Sequence, residues 1–259
     1  MQLDVVEVAS GVFHAWTRYV GWVVVVDGDE VTLVDTGYPG DRGRVLASLE
    51  RIGRRGSDVS AIVLTHAHRD HRGNARWFQD EHGVMVKVHE EERAYARGER
   101  VEEVPVPTLL RMSWRPSILA FEIDLSTRLR ALGTKFLDVV DTFHDGPVDA
   151  PGEPVSVHTP GHTSGHVALH LPSRGVLVAG DALMTEHPIG TSVTGAQLLP
   201  AYFNHDDDQA AASLERLRGL QADVVVTGHG PPYRGSPAAA VEQALANRAA
   251  LHRGVGGHW

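Results

Sequence analysis

The stretch Thr65-His66-Ala67-His68-Arg69-Asp70-His71 places three imidazoles and a carboxylate within the six residues from His66 to His71, directly after the apolar run Ala61-Ile62-Val63-Leu64. Imidazole nitrogen and carboxylate oxygen are both good ligands for zinc and similar transition metals. If the chain is still extended at His66 and His68, their side chains fall on the same side of the strand, whereas a helix starting near Asp70 aims His71 differently. That arrangement suits two neighbouring metals. The bland alternative is a solvated histidine-rich turn, and it loses weight as later residues join the pattern.

Composition narrows the chemistry further. A chain of 259 residues can bury a substantial core and is read as one domain. The net charge of -9, with Lys87 and Lys135 the only lysines, argues against a nucleic-acid-binding surface. Cysteine is absent, so disulfides, thiolate ligands, iron–sulfur clusters and cysteine nucleophiles are all excluded. Any metal must be held by nitrogen and oxygen. Met1 to Ser10 lacks a basic region, and no apolar run approaches the roughly 18 residues of a membrane span. The expectation is a cytoplasmic protein acting on a small molecule, with no nucleic-acid or membrane partner.

Along the chain, Asp4 to Trp16 reads as one or two short strands, and Gly21–Val26 and Val31–Val34 as a hairpin around Asp27-Gly28. The second hairpin strand delivers Asp35-Thr36-Gly37 to its C-terminal end, where Asp35 either orients a metal-bound histidine or caps the following loop. Helical spacing over Asp41 to Arg54 precedes the strand Val59–Leu64, and a second helix ends near Gly83 before the strand Val84–Val88. From about 90 to 146 the rhythm lapses into a helical insertion containing Leu109, Leu110, Met112, Trp114 and Phe121, a candidate lid. Strands then resume at Val155–His158, Val167–Leu171 and Gly175–Ala179, the last ending at Gly180-Asp181. A helix over about 207–220, with Asn204 and Asp206 as cap candidates, leads to the strand Asp223–Val226 and a closing helix from Pro237 to about Arg253. Two similar halves are implied, each β-rich and each followed by helix, strand and motif.

Four points share one grammar of strand, small residues and then His or Asp: His66–His71, Gly161-His162, Gly180-Asp181 and Gly228-His229. Glycine beside each of the last three lets backbone bend and approach a metal site closely. This set resembles the metallo-β-lactamase fold superfamily, in particular its dinuclear glyoxalase II-like and lactonase-like hydrolase branch. The resemblance runs from Asp35 to His229 and implies an α/β fold, a four-layer αβ/βα sandwich of two similar β-rich halves. It also implies two divalent metal ions, with zinc the first choice and manganese or iron also accommodated by nitrogen and oxygen ligands. On that resemblance His66, His68 and His162 hold one metal, Asp70, His71 and His229 hold the other, and Asp181 bridges them. His166 is expected beside the site and not as a ligand. Two metals roughly 3.5–4 Å apart lower the pKa of a shared water, and the hydroxide so formed attacks a carbonyl. Asp70 is then the candidate proton acceptor, and Asp35 the residue that orients an imidazole.

The expected reaction is hydrolysis of an ester, lactone or thioester of a small metabolite. Only 30 residues follow His229, which disfavours the glutathione-binding helical region that glyoxalase II enzymes carry there. Acyl-homoserine lactonases place a tyrosine three residues after the bridging aspartate, but this chain reads Asp181-Ala182-Leu183-Met184. Tyr202 is the candidate replacement. The alternative reading is a mononuclear iron enzyme resembling persulfide dioxygenases, built from two histidines and one aspartate of the same set.

Overall fold

The computed structural model describes residues 2–104, 114, 116–127, 130, 133–187 and 193–254. Its first sheet has seven strands in the order of the sequence: β1 (Asp4–Ala9), β2 (Val12–Trp16), β3 (Gly21–Asp27), β4 (Glu30–Val34), β5 (Val59–Val63), β6 (Met85–His89) and β7 (Asp141–Phe143). Strands β1 to β4 pair antiparallel, and β4 to β7 parallel. The parallel pairs are joined by the crossover helices α1 (Arg42–Arg51) and α2 (Ala75–His82), as parallel neighbours require. Helix α2 ends where Gly83 takes φ 69° and its amide bonds back to Gln79 O at 3.0 Å.

The second sheet consists of β8 (Gly146–Pro147), β9 (Val155–His158), β10 (Val167–Leu171), β11 (Val176–Met184), β12 (Val224–His229) and β13 (Tyr233–Arg234). Its order is β13-β12-β11-β10-β9-β8, with β11 and β12 parallel. The remaining helices are the short α3 (Arg93–Ala96) after β6, α4 (Pro116–Thr127) in the insertion, α5 (Asp207–Ser213) and the closing α6 (Pro237–Gly254).

Period-two patterning explains the layers. On β3, Val23 and Val25 enter the core between the sheets, meeting Val167, Leu169, Val176 and Val178, whereas Trp22 and Val24 face α1, α2 and α3 through Val45, Leu49, Phe78 and Tyr95. On β12, Val224 and Val226 face the inter-sheet core, and Val225 faces Ala211, Leu214, Ala240 and Val241 beside α5 and α6. A strand buried on both faces reads as a continuous valine run, as β3 and β12 do. The order of layers is helices, sheet, sheet, helices, the sandwich expected from the sequence.

The structure differs from the sequence reading in several places. Strands β11 and β12 do not stop short of the motifs but carry Asp181 and His229 inside them. The pairing register of β11 with β12 shifts between Val178 and Gly180 and again before Met184, so the strand continues while its ladder is broken. The helix expected over 207–220 holds α-geometry only to Ser213 and tightens into a 3-10 turn at Leu214–Arg216. The segment 90–146 is not wholly helical: β7 adds to the sheet beside β6, and Tyr95, Ala96 and Leu137 belong to the core under it. Leu109, Leu110 and Met112 lie outside the described residues. Asp145 is paired with Arg216, and the His144 ring lies 6.1 Å from that of His89.

Candidate metal centre

All seven residues expected from the sequence meet at one end of the sandwich, on the chain leaving β5 and β9 and within the C-terminal parts of β11 and β12. Three groups have ligand atoms mutually within 4.8 Å: His66, His68 and His162; His66, His71 and Asp181; Asp70, His71 and His229. Asp181 is the common neighbour. Its Oδ2 lies 3.0 Å from His229 Nε2, 3.3 Å from His162 Nε2 and 3.9 Å from His66 Nε2, and its Oδ1 lies 3.3 Å from His71 Nε2. Asp70 Oδ2 stands 3.7 Å from both His71 Nε2 and His229 Nε2.

Each of the five imidazoles is held from behind by an oxygen, and these contacts fix the tautomers. His71 Nδ1 donates to Asp35 Oδ2 at 2.8 Å and His229 Nδ1 to the Tyr19 carbonyl at 2.5 Å. His68 Nε2 donates to the Glu102 carbonyl at 2.9 Å, and His162 Nδ1 to Asn204 Oδ1 at 3.1 Å. Asn204 is oriented in turn because its amide nitrogen donates to Asp207 Oδ1 at 2.8 Å. Thr65 gives its hydroxyl proton to Asp35 Oδ2 at 2.8 Å, so its oxygen accepts from His66 Nδ1 at 3.0 Å. With every outward nitrogen protonated, the inward nitrogen of each neutral ring presents a lone pair.

Three of those lone pairs crowd together, with His68 Nδ1 at 3.0 Å from His66 Nε2 and 2.8 Å from His162 Nε2. Lone pairs at such distances repel unless a cation lies among them. His71 Nε2 and Asp181 Oδ1 are buried with no hydrogen-bond partner. An orphaned buried acceptor costs about 1–3 kcal/mol, and a coordinated metal ion satisfies it. The nitrogen and oxygen donors therefore fit divalent metal ions.

The electrostatics agree. Burial opposes the charge on Asp181, yet His229 and His71 hold its carboxyl well below the usual carboxylate range. Burial also opposes protonation of His71, but Asp181, Asp70 and Asp35 outweigh it and push that ring up; His229 is raised by Asp181 in the same way. The carboxylates thus draw positive charge into this end of the cluster. His66 and His162 are pushed well down, chiefly by burial and then by neighbouring imidazoles.

Local backbone shape serves the same convergence. Asp35 adopts φ 63°, a left-handed conformation rare outside glycine but tolerated by aspartate, and from it Oδ1 accepts the Thr65 amide at 2.9 Å. Gly180 takes φ 51° against Thr65 and His166, where an added Cβ would lie 2.8 Å from each. His166 Nε2 accepts the Asp181 amide at 3.0 Å, so it supports Asp181 from behind.

Several residues of the site are not singled out by sequence reasoning. Glu92 is buried, and its Oε1 accepts the Ala67 amide at 2.7 Å while Oε2 accepts Thr163 Oγ1 at 2.8 Å and the Gly165 amide at 3.1 Å. It ties the two histidine loops together. The sequence offers Asn204 and Asp206 as helix caps; Asp206 caps α5, accepting Gln209 N at 2.9 Å, and Asn204 instead backs His162. Tyr38 and His187 both line the cavity over the cluster, His187 with its ring 4.8 Å from that of His229. Tyr202 packs on Phe203 and is absent from that lining.

The cavity holds about 360 Å³. Its lining includes His68, Asp70, His162, Asp181 and His229 together with the apolar side chains of Phe121 and Leu125 on α4, Met184, Leu199 and Phe203. A volume at the low end of the ligand-pocket range suits a small molecule. No helix among the described residues is long and apolar enough to cross a membrane.

Known proteins place the chain. A family profile described as the metallo-beta-lactamase superfamily matches residues 16–229. The "Probable metallo-hydrolase YflN" of Bacillus subtilis (strain 168) is 31% identical over 254 residues, spanning 93% of this chain and 92% of that one. A crystal structure of a metallo-beta-lactamase family protein of Thermus thermophilus is 28% identical, with TM-score 0.62 over 89% of this chain and 75% of that one. The subclass B3 metallo-beta-lactamase BJP-1 of Bradyrhizobium japonicum shares the fold alone, at 16% identity and TM-score 0.65 over 97% and 93% of the two chains. With a cluster whose donors fit metal ions and a relative called a metallo-hydrolase, metal-dependent hydrolysis is the general chemistry supported, and the chain belongs to the metallo-beta-lactamase superfamily.

Proposed function

We propose that this protein is a dinuclear metal-dependent hydrolase that cleaves an ester, lactone or thioester of a small metabolite. The observation that carries the reading is the convergence of five oriented imidazoles with the Asp70 and Asp181 carboxylates, of which His68, His162, His229, Asp70 and Asp181 line the 360 Å³ cavity. His66, His68 and His162 would hold one ion, Asp70, His71 and His229 the other, with Asp181 between them. Two divalent ions, zinc by preference, supply an acidified water near neutral pH and an electrophile for the scissile carbonyl.

The chain's own residues do the rest. Asp35, Glu102 O, Asn204, Thr65 and Tyr19 O hold the five rings in one tautomer and one orientation before substrate binds. Asp70 lines the cavity, and its carboxylate would accept a proton from the attacking water. In the reaction the acyl carbon gains a bond to the water oxygen and loses its bond to the leaving oxygen or sulfur. One water proton passes through Asp70 to the leaving group, and the acid product ionises. The apolar walls from α4 and from Leu199–Phe203 limit bulk water around the reacting carbonyl.

The test is a hydrolysis screen of lactones, thioesters and aryl esters with the metal-loaded protein. Chelator-sensitive turnover of at least one class supports the proposal. One iron per chain with oxygen consumption on a persulfide, and no hydrolysis, would replace it with the dioxygenase reading.

A further inference from the structure

Tyr38 lines the cavity over the cluster with only 5% of its surface exposed. Its ring packs with Tyr19, Val20, Ile118 and Phe121, a setting that a phenylalanine would fill equally well. Its hydroxyl, by contrast, faces the Asp70 carboxylate, the acceptor of its hydrogen bond. A phenol proton and the proposed proton acceptor of the reaction therefore meet inside the one cavity.

That meeting is built into the backbone. Thr36 donates twice to the His71 carbonyl, from its amide at 2.7 Å and from its hydroxyl at 2.9 Å. Asn74 Nδ2 donates to the Thr36 carbonyl at 2.7 Å and to the Tyr38 carbonyl at 2.8 Å, and the Tyr38 amide donates to Asp41 Oδ2 at 3.3 Å. The Gly73 amide donates to the Gly37 carbonyl at 3.0 Å, an approach so close that a Cβ at position 73 would lie 2.3 Å from that oxygen. Thr36, Asp41 and Asn74 are all buried. The loop that carries Tyr38 is thus stitched to the loop that carries Asp70 and His71, which fixes phenol and carboxylate against each other before any substrate enters.

Other donors in the lining are committed elsewhere. Arg69 pairs through two nitrogens with the Glu103 carboxylate, and Ser126 Oγ donates to the Ile123 carbonyl at 3.0 Å. His187 packs by its ring against Phe121, Phe203 and His229.

We propose that Tyr38 is a catalytic residue that delivers a proton to the leaving oxygen of the substrate. The proposal rests on the hydrolase reading for the reaction itself. Water adds to the acyl carbon, and Asp70 takes one of its protons. As the acyl C–O bond breaks, its electron pair goes to the leaving oxygen, which takes the Tyr38 hydroxyl proton. The phenolate then recovers a proton from Asp70. One water is consumed, an acid and an alcohol are formed, and both side chains return to their starting state. Such delivery matters most for an alkoxide, which is a poor leaving group, and least for a nitrophenolate, which leaves without a proton.

The test compares the wild type with Tyr38→Phe, both metal-loaded, on esters of one acyl group whose leaving groups run from nitrophenol through phenol to a primary alcohol. Metal ions per chain and circular dichroism are measured on the same samples. Y38F is expected to keep its fold and metal content. Its kcat should fall about a hundredfold or more on the alkyl ester, the size of a lost general acid, and by no more than about threefold on the nitrophenyl ester, the size of one weak hydrogen bond. A loss of equal size across the series, or no loss, would overturn the inference while the hydrolase reading stands, and proton delivery would pass to another lining donor such as His187. Loss of bound metal or of the fold in Y38F would make Tyr38 a structural residue and overturn the inference as well. If the metal-loaded wild type turns over no ester at all, the hydrolase reading fails and the inference fails with it.

Discussion

Asp35 accepts the Nδ1 proton of His71 at 2.8 Å from a backbone conformation with φ 63°, and the same carboxylate accepts both the amide and the hydroxyl of Thr65. One side chain therefore fixes a ring of one proposed metal site directly and a ring of the other through Thr65 to His66. Asp35→Asn keeps a residue that tolerates the left-handed conformation but replaces an acceptor with an amide donor at one oxygen. The expected outcome is a fold preserved by circular dichroism and a metal affinity weaker by about 10–100-fold, read by competition with a chromophoric chelator, as is typical when the group behind a ligand is altered. Unchanged affinity would mean that Asp35 only shapes the loop.

Glu92 joins the loop of His66 and His68 to that of His162 through three accepted hydrogen bonds, and burial pushes its carboxyl up to about 7 against the pull of those donors. Glu92→Gln must turn an NH₂ group toward at least one of the donors at Ala67, Thr163 or Gly165. A loss of about 1–3 kcal/mol in denaturant unfolding is expected, the cost of one unsatisfied buried group. The variant should also release metal at a lower chelator concentration than the wild type. Coincident unfolding and chelation curves would show that the two loops do not depend on this bridge.

His14 is buried in β2 with neither ring nitrogen partnered, stacked on Trp16 at 4.8 Å, and burial lowers its pKa from 6.5 to about 3. Above pH 6.5 the ring is neutral in both folded and unfolded chains. Below it the unfolded chain takes up a proton that the folded protein refuses until about pH 3, so stability falls as pH drops. The loss attributable to His14 is about 2 kcal/mol between pH 8 and pH 5. His14→Phe should remove that part of the slope, measured as the difference between variant and wild type in urea unfolding at the two pH values. Parallel pH dependence in the two proteins would contradict it.

His68 presents Nδ1 to His66 and His162 and is held through Nε2 by the Glu102 carbonyl, with its ring edge-on to Tyr95. His68→Ala should leave the fold intact, since the side chain is not part of the valine core between the sheets. Metal-dependent activity should fall at least about a hundredfold, because an entire ligand is lost and not just its support. Full activity in that variant would remove His68 from the proposed ligand set.

The proposed ligand positions are legible in sequence because each is a histidine or aspartate beside glycine or within a dense cluster at the end of an apolar run. The layers are legible for a similar reason: the valine runs of β3 and β12 mark strands buried on both faces. The supports are not. Tyr19 serves His229 through a backbone carbonyl from 210 residues away, which no side-chain pattern records. Glu92 sits in the acidic run Glu90-Glu91-Glu92, which reads as a solvated face until the fold buries its last member. Asn204 carries a cap residue's signature beside Asp206, and only the structure separates the residue that caps α5 from the one that orients His162. At Gly180-Asp181 a break in the ladder looks in sequence like the end of a strand, which puts the boundary too early.

The most direct measurement is the number and identity of metal ions per chain, by plasma mass spectrometry on protein purified without chelator and again after stripping and reconstitution, with ester hydrolysis followed in parallel. The account expects about two divalent ions per chain, zinc foremost, with hydrolysis lost on stripping and restored on reloading. A chain that binds no metal after reconstitution, or one iron with oxygen uptake and no hydrolysis, would contradict it.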